Sequence, residues 1–137
     1  MSFIPLVQNY IDNNEFISKK LHYSEYDFEY WSNLSSNPSA ISFLETNPHR
    51  INWANLSSNP AAIHLLEANP DKIYWINLSK NPAAIHLLEA NPTEIHWGNL
   101  SKNPAAIHLL EANPDKICWE SLMKNPGILC NDKPVMK

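Results

Sequence analysis

The sequence predicts an all-α fold, an α-solenoid of 22-residue repeats in which Asn-Pro starts each of two short helices. Three observations predict it. Tryptophan stands at 31, 53, 75, 97 and 119, a constant step of 22 residues. Asn-Pro stands at 37, 47, 59, 69, 81, 91, 103, 113 and 125, so two such steps divide each unit into a shorter and a longer piece. Between the steps, apolar residues fall on helical faces. Self-similarity at such a period is the mark of a repeat architecture.

Each Asn-Pro step starts a helix for a physical reason. Proline at the first helical position loses an N–H that had no partner there, and its φ is already helical. The residue before proline is pushed toward the β region. That is the conformation of an N-cap, and Asn is among the best N-caps. Each step is therefore expected to end one helix and start the next. In one repeat this gives a helix over 60–68, about two and a half turns long, and one over 70–80, about three turns long. Helices this short do not stand alone in water. Their stability has to come from neighbouring repeats.

The first helix is apolar nearly all round. Ala61, Ala62, Ile63, Leu65, Leu66 and Ala68 cover most of its circumference, leaving a thin stripe of His64 and Glu67. The second divides more evenly. Ile73, Tyr74, Trp75, Asn77 and Leu78 span a wide arc expected to be buried, with Lys72, Ile76, Ser79 and Lys80 opposite. Recurrence within the chain supports the division. Positions 51, 73, 95 and 117 are all Ile, and 56, 78, 100 and 122 are all Leu. Positions 54, 76, 98 and 120 read Ala, Ile, Gly and Glu.

The organisation is read as a single domain. Residues 1–30 form a degenerate N-terminal capping segment, in which Ser24 and Asp27 can cap a helix. Residues 31–124 are the helical repeats, and 125–137 a truncated repeat with a C-terminal tail.

Composition narrows the class of function. Charged residues are 18% and apolar ones 44%, enough apolar content for a core. The formal net charge of −4 argues against a dedicated nucleic-acid binder. No apolar run approaches the roughly 18 residues of a membrane span. The start, MSFIPLVQNYIDNNE, lacks a positive n-region and a cleavage site, so no signal peptide is read. Asn33, Asn55, Asn77 and Asn99 begin Asn-Leu-Ser triplets, but glycans on a buried arc are incompatible with packing. An intracellular, non-secreted chain is the consistent expectation. Cys118 and Cys130 fit neither a disulfide framework nor a zinc pattern.

The recurring polar and aromatic residues are the candidates for chemistry. The tryptophans could stack bases or sugars, but equivalent positions about 10 Å apart cannot sandwich one ring, and core packing is the expectation. His64, His86 and His108 each precede Glu67, Glu89 or Glu111 by three positions and read as a solvated stripe. Identical positions so far apart cannot share a metal. AAIHLLEANP recurs identically at 61–70, 83–92 and 105–114, whereas a catalytic site needs unlike groups converging on one place. No enzyme, cofactor or metal is expected.

The units NPAAIHLLEANPDKI followed by Trp and NLSKNP, over about residues 31–126, resemble the short repeats of proteins of giant DNA viruses, notably the marseillevirus-like group. The resemblance implies a viral origin and expression inside an infected host cell, with a location in host cytoplasm or virion. It carries over no site residues, and residues 1–30 depart from the pattern.

The functional expectation is a non-enzymatic scaffold or adaptor that binds a host or viral protein. The surface would be the repeat-variable side of the second helices: Lys72, Ile76, Lys80, Gly98, Lys102 and Glu120. Two other readings stand beside it. One is nucleic-acid binding along a lysine strip. The other is a structural, virion-type component that self-associates. The recurring Asn of the second helix is expected to bond the backbone of the adjacent repeat. Asn55→Leu and Asn77→Leu should then each lower the melting temperature, and no change in either would place the arc wrongly.

Overall fold

The computed structural model describes residues 24–129. Every described element is helical, and there is no strand among the described residues. The 22-residue period is visible as a regular succession of short α-helices and proline-led 3-10 turns. The chain divides into two compact units, Met1–Lys72 and Ile73–Lys137. The capping segment expected over 1–30 lies outside the described residues as far as residue 23, as does the tail from residue 130.

In the first unit α1 is Ser24–Ser36, α2 Ile41–Glu45, α3 Trp53–Ser57 and α4 Ile63–Ala68. Turns Pro38–Ala40, Pro48–Arg50, Pro60–Ala62 and Pro70–Lys72 lie between and after them. α1 packs on α3, and the turn Pro38–Ala40 packs on Pro60–Ala62. In the second unit α5 is Trp75–Leu78, α6 Ile85–Ala90, α7 Trp97–Leu100, α8 Ile107–Ala112 and α9 Trp119–Leu122. Its turns Pro82–Ala84, Pro104–Ala106 and Pro126–Leu129 pack in a row, each on the next.

The two Asn-Pro steps of a repeat do different jobs. The step before the first helix behaves as expected. Asn59 has φ −88° and ψ 113°, and its side chain accepts the Ala61 N–H at 3.0 Å. The helix expected over 60–68 is realised as a 3-10 turn, Pro60–Ala62, running into α4. The other step has no side-chain N-cap in Asn47, Asn91 or Asn113. There the amide caps the helix behind it. Asn69 Nδ2 donates to Leu65 O, Asn91 to Leu87 O and Asn113 to Leu109 O, each at 2.9 Å. These amides serve carbonyls that a helix end leaves open.

The three-turn helix expected over 70–80 does not form. Its place is taken by a 3-10 turn, Pro70–Lys72, an extended break, and the four-residue α5. At the break Ile51 has ψ 129°, Ile95 126° and Ile117 128°. The next residues are extended as well, with ψ 96° at Tyr74 and 98° at His96. Ile51, Ile73 and Ile95 are buried, as expected of the arc, although the backbone that carries them is broken. The stiff β-branched side chain also suits extended backbone.

A break frees an N–H, and a serine of the preceding repeat takes it up. Asn52 N donates to Ser35 Oγ at 2.9 Å, His96 N to Ser79 Oγ at 2.9 Å and Cys118 N to Ser101 Oγ at 3.0 Å. Each hydroxyl in turn donates to a carbonyl one turn back, Ser35 to Trp31 O at 2.7 Å, Ser79 to Trp75 O at 2.8 Å and Ser101 to Trp97 O at 2.7 Å. Ser35, Ser57, Ser79 and Ser101 are fully buried. Ser79 was expected on the outer side of its helix; the break rotates it inward.

Amides join repeats at two depths. Asn55 Nδ2 donates to Ser32 O at 2.9 Å, and Asn99 Nδ2 to Ile76 O at 2.7 Å, which is the ladder expected. Those side chains are only half-buried. A second, fully buried ladder is made by the N-cap asparagines. Asn59 Nδ2 donates to Ser35 O at 3.0 Å. Asn103 reaches Ser79 O and Asn81 O, both at 3.1 Å, and Asn125 reaches Ser101 O at 3.0 Å and Asn103 O at 2.9 Å.

The apolar core is leucine and alanine rather than tryptophan. Leu44, Leu56 and Leu66 are fully buried in the first unit, and Leu78, Leu88 and Leu100 in the second. Ala40, Ala62, Ala84 and Ala106 close the turns with no exposure. Trp53, Trp75 and Trp97 are half-buried and Trp119 is exposed, so the tryptophans do not fill the core as expected. Trp31 stacks on Phe43 with ring centroids 5.3 Å apart. The first helix shows more than a thin stripe, since Ala61 and Ala68 are exposed beside His64 and Glu67.

The buried amides should outweigh the half-buried ones. Asn103→Leu strands two carbonyls and an N–H, and should cost at least about 1–3 kcal/mol in chemical denaturation, against about 1 kcal/mol or less for Asn55→Leu. Ser101→Ala, which leaves the Cys118 N–H without its acceptor, should fall in the upper range. Equal effects at Asn55 and Asn103 would contradict the two-depth arrangement.

Candidate interaction surface

Of the residues expected to form a surface, Lys72 lies in the first unit and the rest in the second. Lys72 is exposed along its backbone turn, yet its ammonium sits 5.2 Å over the Trp53 ring. Lys116 repeats the arrangement over Trp97 at 5.1 Å. Such contacts hold the basic residue against the half-buried indole rather than leaving it free in solvent.

In the second unit Ile76, Gly98 and Glu120 occupy the second position of α5, α7 and α9. Ile76 is a large aliphatic side chain and is 58% exposed. Lys80, Lys102 and Lys124 follow the same three helices and are all exposed. α5 and α7 are tied at this level by the Asn99 bond to Ile76 O, so Ile76 and Gly98 sit on adjacent helices. Gly98 has its own reason to be small. His96 folds back over the helix so that its Nδ1 accepts the Asn99 N–H at 3.1 Å. A Cβ on Gly98 would come 3.1 Å from the imidazole Cε1.

The break residues add unlike side chains along this side. Asn52 caps α3 in the first unit, its Oδ1 accepting the Asn55 N–H at 3.1 Å. In the second unit the same register holds Tyr74, His96 and Cys118. Tyr74 is 55% exposed, although the sequence placed it on the buried arc; the break turns it outward. Cys118 Sγ accepts the Ser121 hydroxyl at 3.2 Å. That bond, with one from the Ser121 backbone and a smaller contribution from Lys102, holds its thiol below the ordinary range.

The His–Glu stripe pairs between repeats, not along one helix. His64 Nε2 lies 2.8 Å from Glu45, and His108 Nε2 3.0 Å from Glu89. The partner is nineteen residues before the histidine rather than three after it. Both pairs are exposed, so each contributes about 0–1 kcal/mol. No group of three His, Cys, Asp or Glu that could hold a metal occurs among the described residues. No described helix is long and apolar enough to cross a membrane.

Sequence reasoning did not find the serine relay, the exposure of Tyr74 and Trp119, or the cross-repeat His–Glu pairing. A signal for the relay was present, because Ser recurs at 35, 57, 79 and 101 with the tryptophan period. Comparison with protein families, with curated proteins and with solved structures finds no match to the chain.

The thiol environment is open to measurement. Alkylation of Cys118 should show its half-maximal rate at a pH below that of an ordinary cysteine, because the folded state favours the thiolate. Ser121→Ala should move the midpoint upward, and an unmoved profile would remove the hydroxyl as the cause.

Proposed function

We propose that the chain is a non-enzymatic adaptor whose repeats stack as an α-solenoid and bind a protein partner through the variable side of the second helices. The carrying observation is the contrast within and just after one short helix, α5. Leu78, Ser79 and Asn81 are buried and recur, whereas Ile76 between them and the break is 58% exposed and has Gly and Glu as its counterparts. Tyr74, two positions before Ile76, is 55% exposed, and apolar surface gathered on an otherwise uniform frame supports a binding role. Lys80 and Lys102 flank it with positive charge and Glu120 with negative, which suits a mixed apolar and charged protein surface. The repeat wording supports a virus of the giant DNA group as the source and a host or virion protein as the partner, met inside the infected cell.

The experiment is affinity capture from infected cells with the wild type and with Ile76→Asp/Lys80→Glu/Lys102→Glu. These exposed substitutions should leave the helical circular dichroism unchanged and reduce recovery of the partner about tenfold or more. An identical set of captured proteins from both would end this reading. Capture of nucleic acid by the wild type, lost steeply with added salt, would favour the lysine strip instead.

A further inference from the structure

Two contacts between repeats share one register, over Trp53 and over Trp97. Lys72 stands three positions before Trp75 and lies over Trp53; Lys116 stands three before Trp119 and lies over Trp97. Phe28 holds the same register, three positions before Trp31, and is 71% exposed. Trp119 is 48% exposed, unlike the half-buried Trp53 and Trp97. Met123, one turn beyond Trp119, is 63% exposed.

The polar half of the contact is altered in step. Met123 stands where Ser35, Ser57, Ser79 and Ser101 stand in the other repeats. Its thioether is a weak acceptor and does not replace the hydroxyl that receives an incoming N–H. At Phe28 no such N–H is offered, because α1 runs unbroken over Ser24–Ser36. One surface has lost the acceptor and the other the donor. What each presents in exchange is a large apolar side chain.

We infer that the chain self-associates through unlike surfaces, Phe28 of one copy seating on Trp119 and Met123 of a second copy. The contact continues the repeat register between molecules, with an aromatic ring in the place of the lysine ammonium. A second copy is the occupant because the register of this chain supplies the matching residue. The contact is heterologous, so each pairing leaves one Phe28 and one Trp119 open for a further copy. It uses none of the residues varied in the capture experiment and stands independently of the adaptor reading.

The test is sedimentation velocity of the full chain over a concentration series, for the wild type, Phe28→Asp, Trp119→Asp and an equimolar mixture of the two variants. The wild type should gain average mass with concentration. Each variant alone should stay monomeric, its association weakened about tenfold or more. The mixture should form a pair and nothing larger, since it holds one intact Phe28 surface and one intact Trp119 surface per pair. A wild type monomeric up to millimolar concentration, assembly of Phe28→Asp alone, or a monomeric mixture would each overturn the proposal. If Trp119→Asp loses its helical signal, Met123→Ser takes its place. That variant restores the residue of the other repeats and is held to the same outcomes.

Discussion

Satisfying the backbone of broken helices is the constraint on which the structure depends. α5 has four residues and α4 six, too few for a stable run of internal hydrogen bonds. Most of their N–H and C=O groups sit at an end, where they have no partner within the helix. Leaving such groups dry and unpaired costs about 1–3 kcal/mol each. Ser79 and Asn103 show how the fold avoids this. The serine passes one bond back along its helix and receives one from the next repeat. The asparagine caps its own turn and reaches two carbonyls behind it.

This polar framework decides where the apolar residues go. The extended break at Ile95 and His96 swings the isoleucine in and the following side chain out. It also shifts the register of the short helix after it. Leucine fills the space between Pro-led turns, and alanine lets those turns approach each other. Tryptophan is left at the margin, half-covered, where Lys72 and Lys116 lie on its face. Indole at such a position still removes apolar area from water while its rim stays open.

Because the framework repeats, departures from it carry the individual character of the chain. Gly98 makes room for an imidazole that caps the helix. Cys118 takes the same cap register with a thiol held by Ser121. Ile76 and Tyr74 project from positions that bear other residues one repeat away. Met123 exchanges a buried hydroxyl for an exposed thioether. Gly127 answers a close approach, since a Cβ there would meet Pro104 O at 2.8 Å. The proposed adaptor surface and the proposed self-association contact both draw on such departures, at separate residues.

The sequence by itself determined the helical class, the period and the start of each first helix. Proline's fixed φ and the Asn before it act locally, so the start of each first helix was legible from two letters. The cross-repeat role of Asn55 and Asn99 was legible too, because a polar residue on an apolar arc needs a partner. Among the surface residues, Ile76, Lys80, Lys102 and Glu120 are exposed, on the side that helical spacing and variation between repeats assigned to the surface. Only the tertiary structure decided the break after each second Asn-Pro. Local propensity favours continuing that helix. The break is held by a serine hydroxyl seventeen residues earlier, which accepts the freed N–H, and it goes with a buried isoleucine. The burial of Ser79, the exposure of Tyr74 and the marginal seat of the tryptophans all accompany the break. Helical periodicity read through the break assigned those faces wrongly, because two extended residues change the phase.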